Sequence, residues 1–267
     1  MSVKIDQPAE VGEYDEPLQT LLQLVWGDGF LSPGGPEEVA RLVDGTDLRE
    51  RRVLDVGCGL GAVDVVLVER HGAGHVTGID LEPDLIAKAR ARALRAGVAA
   101  RIDTVQVVPG PWPFAAESFD VVFSKDSIVQ IPDKRSIFRE MHRVLRPGGD
   151  LLVSDWLRGG DGPYSPEMIE YFRLEGITYN MASPSDTHAA LVEAGFVDVR
   201  IDDRSDWYRE LARREHEAMA GPWFPRLTET LGRERAEHFV TNWRQLVLVL
   251  DRGELRPTHL KAKKPRH

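Results

Sequence analysis

Cysteine is almost absent from the 267-residue chain: Cys58 is the only one. An intramolecular disulfide framework is therefore excluded, and a reducing compartment is the expected setting. Long apolar runs are missing too. Residues 63–68, broken by Asp64, and residues 246–250 fall far short of the roughly 18 apolar residues that cross a bilayer. The opening Met1-Ser2-Val3-Lys4-Ile5-Asp6-Gln7-Pro8 lacks the apolar centre of a signal peptide, so a cytoplasmic protein without a membrane partner is expected. Basic residues are outnumbered, 34 Lys+Arg against 43 Asp+Glu for a net charge of −9, which argues against a nonspecific nucleic-acid binder. The basic residues Lys261, Lys263, Lys264 and Arg266 cluster at the end of the chain and read as a solvated tail. Histidines stand at 71, 75, 142, 188, 216, 238, 259 and 267 without close metal-ligand spacing, so no metal site is expected. Repeats, low-complexity tracts and flexible linkers are also lacking. The length suits one large α/β domain spanning residues 1–267.

What is present is an alternation of strand-like and helix-like segments. Apolar runs at 52–56, 75–80, 104–108, 119–124, 150–154 and 197–202 have the continuous character of strands buried on both faces of a parallel sheet. Between them, Glu82-Pro83-Asp84 opens an amphipathic run closed by Gly97, and Asp133 is placed to cap a helix over 134–145 that Arg146-Pro147-Gly148-Gly149 stops. Ser165-Pro166-Glu167 begins another helix through Gly176. Residues 62–71 carry four valines and are poor helix formers, yet a crossover between parallel strands requires a helix there. Residues 14–26 have a helical rhythm and lead into a turn-rich loop, residues 27–35. After Asp203 the chain reads as mostly helical to its end at 254–263, with 246–250 compatible with strand or helix. The pattern predicts a doubly wound α/β sheet, whose ligands bind at the carboxyl ends of the strands.

The strongest motif is Val53-Leu54-Asp55-Val56-Gly57-Cys58-Gly59-Leu60-Gly61, followed 25 residues after Asp55 by Asp80 in Gly78-Ile79-Asp80. Glycines at 57, 59 and 61 let a strand turn sharply into a helix and expose bare backbone to a ligand. Asp80, at the end of the second strand, is placed to accept from both hydroxyls of a ribose. The spacing is G-x-G-x-G rather than the dinucleotide G-x-G-x-x-G, and Asp55 would repel a pyrophosphate while suiting an ammonium. The segment resembles motif I and its following acid in class I S-adenosylmethionine (SAM) dependent methyltransferases. Tyr14, Trp26-Gly27-Asp28-Gly29-Phe30-Leu31-Ser32-Pro33-Gly34-Gly35, Ser118-Phe119-Asp120-Val121-Val122-Phe123-Ser124-Lys125-Asp126-Ser127-Ile128 and Arg146-Pro147-Gly148-Gly149 narrow the resemblance, over almost the whole chain, to the phosphoethanolamine N-methyltransferase family.

This resemblance implies a doubly wound, mostly parallel, Rossmann-like sheet of seven strands with an N-terminal helical lid and helical additions, SAM as cofactor and a small-molecule methyl acceptor as partner; the oligomeric state is left open. It divides the chain into a lid at 1–35, a SAM-binding core at 36–155, and a remainder at 156–267 that supplies the acceptor pocket. It assigns cofactor contacts to Leu31, Ser32, Asp55, Gly57, Cys58, Gly59, Asp80, Leu81, Val108, Pro109, Ser124 and Lys125. Cys58 is expected to be a small residue tolerated in the loop rather than a nucleophile. Val108 stands where many relatives carry an acid for the adenine amino group, and Lys125 where the family carries arginine. Tyr14 and Asp126 are expected at the acceptor, with Tyr14 half of a catalytic pair. The other half, a histidine four residues after the acid, is Gln130 here, which cannot exchange a proton near neutral pH. An ungapped count puts the family's phosphate-binding positions at Trp156, Tyr171, Glu175 and Ile177. Only the tyrosine is kept, and a glutamate replaces an arginine that would fork onto phosphate. These departures favour methylation of the amine of a small polar amino acid or amino alcohol rather than of a phosphobase. The alternatives are a thioether acceptor such as methionine, which has no proton to lose, and a SAM-binding regulator without catalysis. Glu175 could equally lie on a solvated helix face. Trp207, Tyr208, Trp223, Phe224 and Trp243 are expected in core or lid packing.

Overall fold

The computed structural model describes residues 14–177 and 179–266, so the first 13 residues of the expected lid, and His267, lie outside the described residues. Helix α1 (Glu16–Trp26) begins where the Asp15 side chain accepts from the Leu18 amide at 2.9 Å and ends at Gly27. A second helix, α2 (Gly35–Val43), which the sequence reading leaves unassigned, follows the turn-rich loop. The Rossmann-like succession then runs β1 (Arg52–Val56), α3 (Ala62–Glu69), β2 (His75–Asp80), α4 (Pro83–Arg95), β3 (Ile102–Gln106), β4 (Phe119–Lys125), α5 (Lys134–Val144) and β5 (Leu145–Arg158). Helix α3 forms despite its valines, because the crossover from β1 to the parallel β2 must pack back onto the sheet. The Asp133 carboxylate accepts from Ser136 N to cap α5 as expected.

Beyond β5 come α6 (Pro166–Glu175), α7 (Pro184–Glu193), β6 (Val197–Asp203), α8 (Ser205–Ala220), α9 (Phe224–Leu231), α10 (Arg233–Asp251) and β7 (Leu255–Lys263). The seven strands lie in the order β3-β2-β1-β4-β5-β7-β6, with β7 antiparallel to both neighbours. Residues 246–250 are thereby settled as helix. Two expectations are corrected. Residues 254–263, read as the end of a helical stretch, form the strand that fills the gap between β5 and β6. The Lys261, Lys263 and Lys264 side chains are not a free tail: Lys263 Nζ pairs with Asp150 at 2.6 Å, Lys261 Nζ donates to Asp44 O at 2.9 Å, and Lys264 Nζ donates to Leu145 O at 2.8 Å. Helix α5 ends at Val144, immediately before residues 146–149 as expected, and those residues open β5, with Gly148 N donating to Lys264 O.

Side chains alternate between two apolar layers. Val53, Val121, Phe123 and Leu152 pack with α2, α3 and α4, while Leu54, Val122, Leu151 and Val153 pack with α5 and α7. Each such burial stabilises the fold by about 1.5–3 kcal/mol. A third cluster joins α1, α6, α8 and α10 through Leu21, Leu22, Phe172, Tyr208, Ala212, Trp243 and Val249. This helical cap sits over the carboxyl ends of β4 and β5 and walls the site.

Candidate active site

The first half of the site is the turn after β1. Gly57 has φ of +78°, and a Cβ there would lie 2.1 Å from Ser127 Oγ; only glycine fits. Gly57 N and Cys58 N both donate to Ile79 O, at 2.8 and 3.0 Å, which welds the turn to the end of β2. The Asp80 carboxylate accepts from Gly59 N at 2.9 Å and Glu82 N at 3.1 Å, and burial pushes its carboxyl upward. Ser124 Oγ donates to Val56 O at 2.7 Å, binding β4 to β1.

Asp55 is buried at the end of β1, and burial, with the neighbouring Asp80 charge, pushes its carboxyl to about 7. Beneath it lies Asp64, 1% exposed, a group that sequence reasoning missed. Asp64 keeps its proton and shares it with Asp55 in a hydrogen bond between the two buried carboxyls. Burial and the Asp55 charge push the Asp64 carboxyl well above the ordinary range. A lone acid in the first turn of an otherwise apolar helix was the available signal. Cys58 is buried beside these acids, and its thiol is raised well above its normal value, so it is a poor nucleophile.

This half fits the methionyl and ribosyl parts of SAM. The acid at the end of β1 suits an ammonium, bare glycine backbone admits close approach, and Asp80 stands at the neighbouring strand end. Leu81 and Val108 are exposed at the rim, Val108 by 72%, and Pro109 is exposed beside it.

A loop, residues 27–35, lies over the glycine turn; a Cβ on Gly59 would lie 3.3 Å from Leu31 Cδ1. Two cations hold it down. Arg92 of α4 forks onto Asp28 at 2.7 and 2.8 Å and donates to Leu60 O at 2.9 Å. Lys125, with its side chain 3% exposed, donates to Ser32 Oγ, Pro33 O and Asp126 Oδ2, each at 2.8 Å. Asp126 adopts φ of +59°, an uncommon conformation for a non-glycine residue. It is held there by its own N–H donating to Ser154 O at 2.8 Å and by Ser154 Oγ donating to Asp126 Oδ1 at 2.9 Å.

The second half is a partly open cavity under the helical cap. Tyr14, Asp126, Gln130, Trp156, Tyr171, Glu175 and Ile177, which the sequence places at the acceptor, all line it, as do Leu31 and Ser32. Residues that sequence reasoning did not place there are Trp26 and Tyr179, together with Tyr208 and Trp243, which were assigned to packing. The last two do both: each is almost fully buried and turns part of its ring to the cavity. Trp207 lines a neighbouring cavity, while Trp223 is exposed and Phe224 packs at the edge of the helical cap.

The aromatic walls are braced. Trp156 meets Tyr208 edge-on at 5.0 Å, Tyr171 and Tyr179 share a hydroxyl contact at 3.1 Å, and the indoles of Trp26 and Trp243 lie 5.8 Å apart. Behind the indoles, Glu215 accepts from Trp26 Nε1 at 2.9 Å and Trp243 Nε1 at 3.0 Å, and burial pushes its carboxyl to about 7. The backbone turn bearing Gln130 is set by Asp155, which accepts from Val129 N at 2.9 Å, and by Asn180, which donates to Gln130 O at 2.8 Å.

Charge in this cavity has one sign. Among its described lining residues are Asp126 and Glu175 but no lysine, arginine or histidine. Glu175 accepts from Asn242 Nδ2, and burial raises its carboxyl. Arg173, two positions earlier, is 62% exposed and pairs with Glu170. A smaller cavity of about 220 Å³ shares Pro33, Asp126 and Trp156 with the first and contains Lys125 and Arg204. Both cations are engaged, Lys125 as above and Arg204 by a fork onto Glu38 at 2.9 Å.

Comparison with known proteins agrees with this geometry. Residues 53–149 match a family model described as a methyltransferase domain. Phosphoethanolamine N-methyltransferase 1 of Arabidopsis thaliana is 36% identical over 192 residues, covering 72% of this chain and 38% of the plant protein. The chain thus spans well under half the length of that relative. Phosphoethanolamine N-methyltransferase 2 of Haemonchus contortus, solved in complex with S-adenosyl-L-methionine, superposes with a TM-score of 0.87 at 23% identity, covering 95% of this chain and 58% of that one. A putative sarcosine dimethylglycine methyltransferase from Galdieria sulphuraria gives a TM-score of 0.80 at 20% identity, with 94% and 99% covered. A glycine turn built for SAM, the seven-stranded sheet around it and these sequence matches converge on one conclusion: the chain belongs to the class I SAM-dependent methyltransferases.

Proposed function

We propose that this enzyme methylates the amine nitrogen of a small polar acceptor that carries no phosphate. The observation that supports this reading is the charge of the acceptor cavity. Two carboxylates and a ring of electron-rich aromatic faces attract a cation, whereas a phosphate there would find no free cation and would be repelled by Glu175. A carboxylate on the acceptor meets the same repulsion, which ranks amino alcohols ahead of amino acids.

SAM, when bound, supplies an electrophilic methyl group whose sulfur departs as a neutral thioether while the N–C bond forms. The chain's own residues position the acceptor and exclude water. Asp55, Gly57, Gly59 and Asp80 hold the cofactor. The loop bearing Leu31 and Ser32, latched by Lys125, acts with Tyr14 as a lid over the site. Asp126, fixed on two sides, attracts and aligns the amine, and such alignment can lower a bimolecular barrier by several kcal/mol. Gln130 offers hydrogen bonds without taking a proton, so the ammonium drawn in by the carboxylates gives its proton to solvent before its lone pair can react.

Incubation of the purified protein with labelled SAM and ethanolamine, phosphoethanolamine, sarcosine, dimethylglycine or methionine, with products identified by mass, tests the reading. Methylated ethanolamine in excess over phosphoethanolamine is expected. Phosphoethanolamine turned over at a matching rate overturns the exclusion of phosphate, and methionine methylated alone replaces nitrogen by sulfur as the acceptor atom.

A further inference from the structure

Resting on the amine reading above, the geometry points to a second cation subsite, made by Glu175 and Asn242, and so to a short diamine as the preferred acceptor, methylated on one nitrogen beside Asp126 while the other is held as an ammonium on the α6 wall.

Two independent features carry this. Glu175 lines the cavity from α6 without a cationic partner. Asn242 of α10, 3% exposed, gives its Nδ2 to Glu175 and leaves its Oδ1 without a hydrogen-bond partner among the described residues. Glu175 and Asn242 Oδ1 are acceptors, and an unmet buried acceptor is costly. A ligand that answers the cavity-lining Glu175, with Asn242 behind it rather than on the cavity wall, must bring donors and a positive charge. An ammonium does so with three N–H groups; a hydroxyl brings one and no charge. Tyr171 and Tyr179 beside Glu175 are raised well above their normal range by burial, so they remain neutral and present π faces to the cation.

The same ligand answers the loss of a proton acceptor at Gln130. A second ammonium within a few bonds disfavours protonation of the first nitrogen. A short diamine therefore enters with one neutral nitrogen already available. In the step itself that nitrogen's lone pair forms the N–C bond, the methyl–sulfur bond breaks with its electrons staying on sulfur, and the new ammonium sheds a proton to solvent after release.

The test compares ethylenediamine and putrescine with ethanolamine and phosphoethanolamine, using the full chain, labelled SAM and initial rates near neutral pH. For the better diamine, kcat/KM should exceed that for ethanolamine by roughly tenfold or more, the scale of one charge-assisted contact. In Glu175→Gln that ratio should fall to within about threefold of unity, with calorimetric SAM binding reporting that the variant is folded. Asn242→Ala should lower the same ratio and decides the matter where Glu175→Gln does not fold. A preference for ethanolamine or phosphoethanolamine, or a ratio unchanged in both variants, overturns the subsite while leaving an amine methyltransferase standing. Methylation of methionine with no amine turned over overturns the amine reading itself, and the subsite with it. Where no acceptor turns over, calorimetry with the protein loaded with S-adenosylhomocysteine still decides: the diamine binding no tighter than ethanolamine overturns the proposal.

Discussion

Single side chains here are set by burial more than by pairing. Asp80 combines two backbone hydrogen bonds with a position at the end of β2. Asp80→Ala should weaken SAM binding by about 2 kcal/mol, roughly thirtyfold, and calorimetry giving an unchanged Kd would move the cofactor elsewhere. Gln130→His should leave SAM affinity unaltered, because the turn that carries it is held through backbone groups by Asp155 and Asn180; a collapse of binding in the same assay would make Gln130 structural. Glu215 yields a pH-dependent outcome. Its carboxyl is raised from 4.5 to about 7 in the fold, so the folded state holds its proton more tightly than the unfolded state. The stability this contributes is complete below the unfolded value and is lost as pH rises through about 7. Glu215→Gln removes that loss. Its Tm relative to wild type should rise by about 4 °C between pH 5 and pH 8; a constant difference in thermal melts would show that Glu215 is ionised throughout.

Elements meet at the glycine turn, and their junction tolerates little change. Gly57 joins β1 to the turn with a positive φ and no space for a Cβ beside Ser127. Gly57→Ala should cost about 1–3 kcal/mol of stability and impair SAM binding, read by melting and titration; full retention of both would mean that the turn relaxes freely. The loop over residues 27–35 has little core of its own and is clasped by Arg92 and Lys125. Lys125→Met should raise the KM for SAM several-fold and lower Tm by several degrees, since it frees the loop and leaves the buried Asp126 carboxylate without its cation. An unchanged KM would show that Arg92 alone suffices.

At the scale of the whole molecule, β7 completes the sheet. It bridges β5 and β6 and buries Leu255, Leu260 and Ala262. Deleting residues 254–267 should leave β6 unpaired and β5 with an open edge and abolish cooperative unfolding; a sharp melt in the truncated protein would show that the sheet closes without it. The helical cap of α1, α6, α8 and α10 gathers residues far apart in sequence into one cavity. Among the described residues, no helix is long and apolar enough to cross a membrane.

The sequence by itself determined the alternating strands and helices, because strands buried on both faces must be apolar throughout. It also determined the cofactor turn, because glycines at 57, 59 and 61 followed by Asp80 are local consequences of a tight strand-to-helix bend. Tertiary structure alone decided β7, whose residues have weak strand preference and become a strand only because β5 and β6 leave a gap to fill. It alone placed Glu175 in the cavity rather than in solvent, since a charge on a helix carries no mark of what packs against it. It alone revealed Asp64, Asp155, Glu215 and Asn242, polar groups whose importance comes from the water they have lost, a property of the packed molecule and not of its local sequence.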